Sequence, residues 1–208
     1  IKNRFGSTNE IGVFEMTDTG LVQVDNPSET LMSERPRGVS GACAVCVMEG
    51  TRPLIAEVQA LVTQTAFAVP RRTANGIDYN RMCLIIAVLE KRLGLKFYQN
   101  DVYLNVTGGL RLDEPSADLG IALALISGIT DCVLPDDLIA VGEIGLAGEC
   151  RAVSHFDYRV KEAARLGFGT ILCPQKNEKK LTAKTTAKLF GVSTLYDTLK
   201  LLNKQTKE

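Results

Sequence analysis

From residue 39 onward the rhythm of apolar and polar positions changes several times, and each change marks an element. Residues 39–48 and 53–64 are apolar, β-branched runs on either side of Glu49-Gly50-Thr51-Arg52, so two neighbouring strands are predicted there. A third β segment is expected over 66–72. Residues 78–93 place Met82, Ile85, Ile86, Leu89 and Leu93 on one face of a helix, closed by Gly94. Val102, Leu104 and Val106 alternate as in a half-buried strand over 101–107. The run 116–127 is apolar nearly all round, which predicts a helix deep in the core. Further on, the pattern predicts strands at 138–141 and 170–173 and helices at 156–166, 178–190 and 193–203. Strand runs followed by helix–strand alternation give an α+β (mixed α/β) fold and exclude a helical bundle.

Ahead of this region, residues 10–24 read as a short hairpin around Thr17-Asp18-Thr19-Gly20. Residues 26–38 are rich in turn formers, with Asn26-Pro27-Ser28 and Arg35-Pro36-Arg37-Gly38, and are expected to be a linker. The division is therefore 1–25, 26–38 and 39–208. No repeat with a period of 20 to 50 residues is present. The chain opens at Ile1 without a secretory leader and reads as a piece of a longer protein.

Composition narrows the function classes. Lys plus Arg and Asp plus Glu both number 24 in 208 residues, so no overall charge draws the chain to nucleic acid or an anionic membrane, and such binding needs a local patch. The lysines toward the C-terminal end read as solvated helix faces. The longest apolar runs, such as 121–126, fall far short of the roughly 20 residues that a membrane span requires. Six scattered cysteines in a chain of this size read as reduced thiols. Cys43 and Cys46 are three apart in a predicted strand and so face opposite sides, which suits buried small hydrophobes and not a metal pair. No metal site is expected.

Lys2-Asn3-Arg4-Phe5-Gly6, Tyr79-Asn80-Arg81, Thr107-Gly108-Gly109, the run 113–119 and the run 142–149 combine with 153–168 in one pattern. Together they resemble the bacterial-type RadA (Sms) family of RecA-related DNA-repair ATPases, whose last domain resembles the Lon protease domain. The resemblance covers nearly the whole chain. It implies a Lon-protease-like domain of the ribosomal-protein-S5-domain-2-like type over 39–208, preceded by a short β hairpin tail of a RecA-like ATPase domain. It also implies that Lys2, Asn3, Arg4, Phe5 and Gly6 form an ATPase-coupling motif, with Lys2 and Arg4 facing nucleotide at subunit interfaces. The resemblance further implies that ATP with Mg and a zinc site belong to an upstream part, and this sequence, with no G-x-x-x-x-G-K-[ST] and no paired C-x-x-C, agrees with that placement. No cofactor is expected in this piece itself.

Lon-type peptidases use a serine nucleophile and a lysine held neutral as its base. By the resemblance, Ser116 in Pro115-Ser116-Ala117 occupies the serine position, with Glu114 and Asp118 where peptidases carry glycines. Counting forward from Gly142-Glu143-Ile144 without a gap, Asp157 falls on the lysine position. Arg159 is expected on another side of that helix, and Lys161 could serve only if the helix shifts. A triad of Ser116, His155 and Asp157 has unfavourable geometry, since residues two apart seldom hold one another as a triad requires; His155 reads more simply as a cap. No intact catalytic set is expected.

What remains for such a scaffold is assembly and surface binding. The resemblance implies a ring, in all expectation a hexamer, in a bacterial cytoplasmic or less commonly organellar protein. Single-stranded and branched DNA and a recombinase of the RecA type are its implied partners, in branch migration of recombination intermediates. Arg71, Arg72 and Arg81 are the candidates for phosphate contact, in the most basic compact loop of the main domain. The alternatives are an active peptidase using Ser116 and an oligomerisation module without DNA contact.

Overall fold

The structure, a computed structural model, describes residues 14–18, 20–23, 26–33 and 35–205. The first β-prone runs pair as an antiparallel hairpin of Phe14–Thr17 (β1) and Gly20–Gln23 (β2), within the stretch predicted. A helix, Pro27–Ser33 (α1), follows where a linker was expected. Pro27 and Ser28 are buried, and α1 packs along a strand of the main sheet, so this helix packs as part of the domain it precedes.

The domain is built on one seven-stranded sheet. Ala42–Glu49 (β3) and Arg52–Gln64 (β4) are the predicted neighbours, antiparallel from Ala42↔Gln59 to Glu49↔Arg52. Arg72–Asn75 (β5) replaces the β segment expected over 66–72. That run is pulled into a loop by its anchors: Thr65 Oγ1 accepts from the Phe67 N–H, and the Arg71 N–H donates to Asp101. Tyr79–Leu93 (α2) and Asn100–Val106 (β6) lie where their periodicity placed them. Asp118–Thr130 (α3) is the core helix, and Leu138–Ala140 (β7) is a short central strand.

A small hairpin of Glu143–Ile144 (β8) and Cys150–Arg151 (β9) leads to Phe156–Arg165 (α4) and Thr170–Pro174 (β10). The helix predicted over 178–190 is absent. Gln175–Glu178 (α5) is a single turn, and Lys188–Val192 (β11) is an edge strand, followed by Leu195–Gln205 (α6). Asp157 accounts for part of this: its carboxylate accepts from the backbone N–H groups of Thr182 and Ala183, which holds the chain open as a loop.

Strand order is β11-β10-β7-β3-β4-β6-β5, with every pair parallel except β3–β4 and β4–β6. β3 is buried on both faces, which explains its continuous apolar run. Cys43, Val45 and Val47 face α2 and α3, whereas Ala44 and Cys46 face α4. Helix α3 lies close on β3: a Cβ at Gly120 would stand 2.2 Å from Val45 Cγ1, so only glycine permits the approach.

Candidate functional site

Ser116 sits in a one-turn 3₁₀ helix, Pro115–Ala117, that feeds α3, with proline at its first position where a missing N–H costs nothing. Its carbonyl accepts from the Gly142 N–H (2.8 Å), and the Gly142 carbonyl accepts from the Leu119 N–H (3.0 Å), which fixes this turn against the strand β8. The side chain points inward and is 1% exposed. Its hydroxyl donates to the carbonyl of Cys46 (3.2 Å). Cys46 lies one residue past the last β3–β7 rung, Val45↔Ala140, so that carbonyl is available to side chains.

The cation at this place is Arg159. The expectation that Arg159 points elsewhere, with Asp157 taking the base position, is corrected by the geometry. Arg159 shares the inward stripe of α4 with Phe156, Val160 and Ala163, and all four are buried. One terminal nitrogen of its guanidinium donates to Cys46 O (2.6 Å) and to Ser116 Oγ (3.0 Å). The other terminal nitrogen pairs with Glu114 Oε1, while Nε donates to Ser154 O (3.0 Å). Glu114 Oε2 in turn accepts from the Met48 N–H (2.7 Å). Partial burial pushes the Glu114 carboxyl up, but the Arg159 and Met48 hydrogen bonds outweigh it and hold the group below the usual carboxylate range.

Asp157 is turned away, its oxygens taken by Thr182 and Ala183, and those bonds hold it below the ordinary aspartate value. Lys161 is exposed, its ammonium 6.0 Å from the Tyr158 ring. His155 stands at the N-cap position of α4 in left-handed backbone (φ 53°), makes no side-chain capping hydrogen bond and is exposed. No triad forms among Ser116, His155 and Asp157. One signal in the sequence could have found Arg159: it falls on the three- and four-residue spacing of the buried α4 stripe.

Beside this network, Asp118 is also buried and is held by both ends of the Arg81 fork, Nε at 2.7 Å, with a third bond from the Ile144 N–H at 3.1 Å. Burial is the dominant influence on Asp118 and pushes its carboxyl up, while the hydrogen bond to Asp118 raises Arg81. A cleft of about 290 Å³ lies elsewhere, between the segment 32–37 and residues 136–137 and 166–168.

The three arginines proposed for phosphate contact do not act alike. Arg81 is spent on Asp118. Arg72 is spent on backbone carbonyls, donating to Asn100 O (2.6 Å) and Phe97 O (2.7 Å), where it ties β5 to the 3₁₀ turn before β6. Arg71 alone of the three keeps an outward guanidinium, stacked 3.8 Å from the ring centroid of half-exposed Phe67. The pentapeptide Lys2, Asn3, Arg4, Phe5 and Gly6 lies outside the described residues.

Among the described residues no cluster of His, Cys, Asp or Glu is placed to hold a metal ion. Burial pushes the Cys43, Cys46, Cys150 and Cys173 thiols up to about 12, which leaves them inert. No described helix is long and apolar enough to cross a membrane.

A mixed sheet with a serine turn entering a core helix, faced by a cation from the following helix, describes a class before it describes a protein. Residues 85–194 match the Lon protease (S16) C-terminal proteolytic domain, and the chain belongs to that family. Among whole proteins it is similar to "DNA repair protein RadA" of Halalkalibacterium halodurans, 50% identical over 201 residues, which cover 97% of this chain and 44% of that relative. The proteins of that name from Listeria monocytogenes and Bacillus subtilis are 48% and 46% identical over 200 residues, 96% of this chain and 44% of each relative. The resemblance drawn from the short motifs thus holds across the chain. It spans less than half the length of these relatives.

Proposed function

We propose that this chain is the peptidase-inactive Lon-like portion of a RadA-type DNA repair protein, serving ring assembly and the guidance of single-stranded or branched DNA. The whole protein would use ATP with Mg, carry a zinc site upstream, act beside a RecA-type recombinase in the bacterial cytoplasm and drive branch migration. The similarity to RadA proteins supports the repair context.

One observation carries the inactive reading: the group hydrogen-bonded to the Ser116 hydroxyl is a guanidinium, which stays protonated and cannot take the serine proton. The hydroxyl proton is directed at the Cys46 carbonyl, and the neighbouring Glu114 carboxylate is ion-paired with the same guanidinium. Incubating the chain with an unfolded protein substrate and a serine-directed fluorophosphonate should give no turnover and no labelling. Turnover that vanishes in Ser116→Ala would establish the opposite reading, an active serine peptidase.

For DNA, the Arg71 guanidinium over Phe67 supports a contact that combines phosphate attraction with a ring face for a base. Retention of single-stranded DNA by the chain is expected to weaken in Arg71→Ala, with a salt slope shallower by about one charge. Unchanged retention at low salt would remove this loop from the interface and favour a pure assembly module.

A further inference from the structure

The segment 26–38 is bound to the domain in a way that a passive connector does not need. Strand β6 joins β4 only from Val58 onward, so residues 52–57 have β3 on one side and, among the described residues, no strand on the other. Helix α1 covers that open edge. The Ser28 hydroxyl oxygen accepts from the Ile55 N–H (3.0 Å), and Ser28 is itself buried. Glu57, 1% exposed, meets the Nε of Arg35 at 2.6 Å, while its other oxygen accepts from Gln59 (2.8 Å). Arg35 also reaches the Asp136 carbonyl (2.7 Å), and the Gly38 N–H donates to the Asp136 carboxylate (3.2 Å). Leu31 closes the apolar side so tightly that a Cβ at Gly108 would lie 2.1 Å from its Cδ2.

These contacts are of the kind that resists partial opening. Lifting the segment would strand a buried carboxylate without its cation and leave a strand N–H unpaired, and both states are costly. Ile55 also faces Cys46 across the β3–β4 ladder. The strap and the Arg159–Ser116 network therefore hold opposite edges of one rung.

We propose that residues 26–38 are a latched strap. Arg35 closed on Glu57 makes the chain segment leading into the domain move with it as one body, and opening of that pair is the step that frees the two from each other. This inference is independent of the DNA reading and of the state of Ser116.

Hydrogen exchange on the 208-residue chain tests it. In the native protein the amides of α1 and of Ile55 should exchange together, at least a hundred-fold more slowly than an unstructured segment. Arg35→Ala should speed both at least tenfold, while the amides of α3 keep their protection. Unprotected α1 amides in the native chain would overturn the proposal, as would an unchanged α1 in Arg35→Ala. If Arg35→Ala also loses α3 protection, Arg35→Lys decides. This variant keeps the charge but not the fork that spans Glu57 and Asp136, so faster exchange confined to α1 and Ile55 supports the latch and unchanged exchange sinks it.

Discussion

At the residue scale, Arg159 shows how one buried charge can both retire a chemistry and hold a fold. Its partners are two side chains and two backbone carbonyls, drawn from β3, the 3₁₀ turn with the residue before it, and the loop leading into α4. Replacing it with Met leaves Glu114 partly buried without a cation and Ser116 and Cys46 with fewer donors, so Arg159→Met is expected to cost about 3–5 kcal/mol. Urea unfolding monitored by circular dichroism reads that loss as a lower midpoint with an unchanged slope. Among the described residues two non-glycines hold left-handed backbone, Asp131 after α3 (φ 53°) and His155 before α4 (φ 53°). Asp131→Gly should raise the melting temperature, by a gain of about 0.5–1 kcal/mol, because relief of the left-handed penalty exceeds the added chain entropy.

The acids fix the sign of the pH dependence. Glu114 and Asp157 are held below their ordinary values, so their contribution to stability is present above the unfolded carboxylate range, near pH 4, and is lost as pH falls through the lowered values. Asp118, pushed up by burial, works in the opposite sense: its contribution is complete below its unfolded value and is lost as pH rises through the raised one. A urea midpoint measured between pH 5 and pH 2 should fall for the native chain and fall less for Asp157→Asn, whose amide has no proton to take up in that range. An equal fall in both would show that the Thr182 contacts do not favour the ionised form.

At the element scale, legibility followed local determinants. Helix α2 matched its predicted span because an Asp78 cap, a regular apolar stripe and Gly94 in left-handed conformation all act within the helix itself. Removing the cap in Asp78→Ala should cost about 1 kcal/mol, read by thermal melting. Helix α3 was legible from its apolarity, but its depth of seating depends on a partner strand. Gly120→Ala is expected to destabilise by about 1–3 kcal/mol through the clash with Val45, despite the better helix propensity of alanine. Pairing it with Val45→Ala should show a favourable coupling above 0.5 kcal/mol in a double-mutant cycle. Residues 178–190 misled because lysines and threonines spaced among Leu181, Leu189 and Phe190 mimic a weak helical period, whereas a carboxylate from α4 and the open edge of β10 select loop and strand. α1 was missed for a related reason: its turn formers read as linker, and the buried groups that hold it belong to β4.

At the scale of the whole molecule, strand order and the meeting of distant residues decide what the chain can do. Ser116 was found from its motif, yet the identity of its cationic neighbour was not. The spacing between the two elements says how many residues intervene, but not which side of α4 turns toward β3. Likewise Arg72 and Arg81 look as free as Arg71 on paper, and only the carbonyls after Phe97 and the carboxylate of Asp118 reveal them as internal ties. By itself the amino-acid order determined the α+β class, the positions of the main strands and helices, the inert buried cysteines and the family, because periodicity, caps and contiguous motifs are properties of neighbouring residues. Tertiary structure alone decided that a guanidinium confronts the serine, that Asp157 serves a loop and that 26–38 is fastened to the sheet. Those outcomes depend on hydrogen bonds between groups 22 to 113 residues apart, whose partners are selected by packing and not by sequence distance.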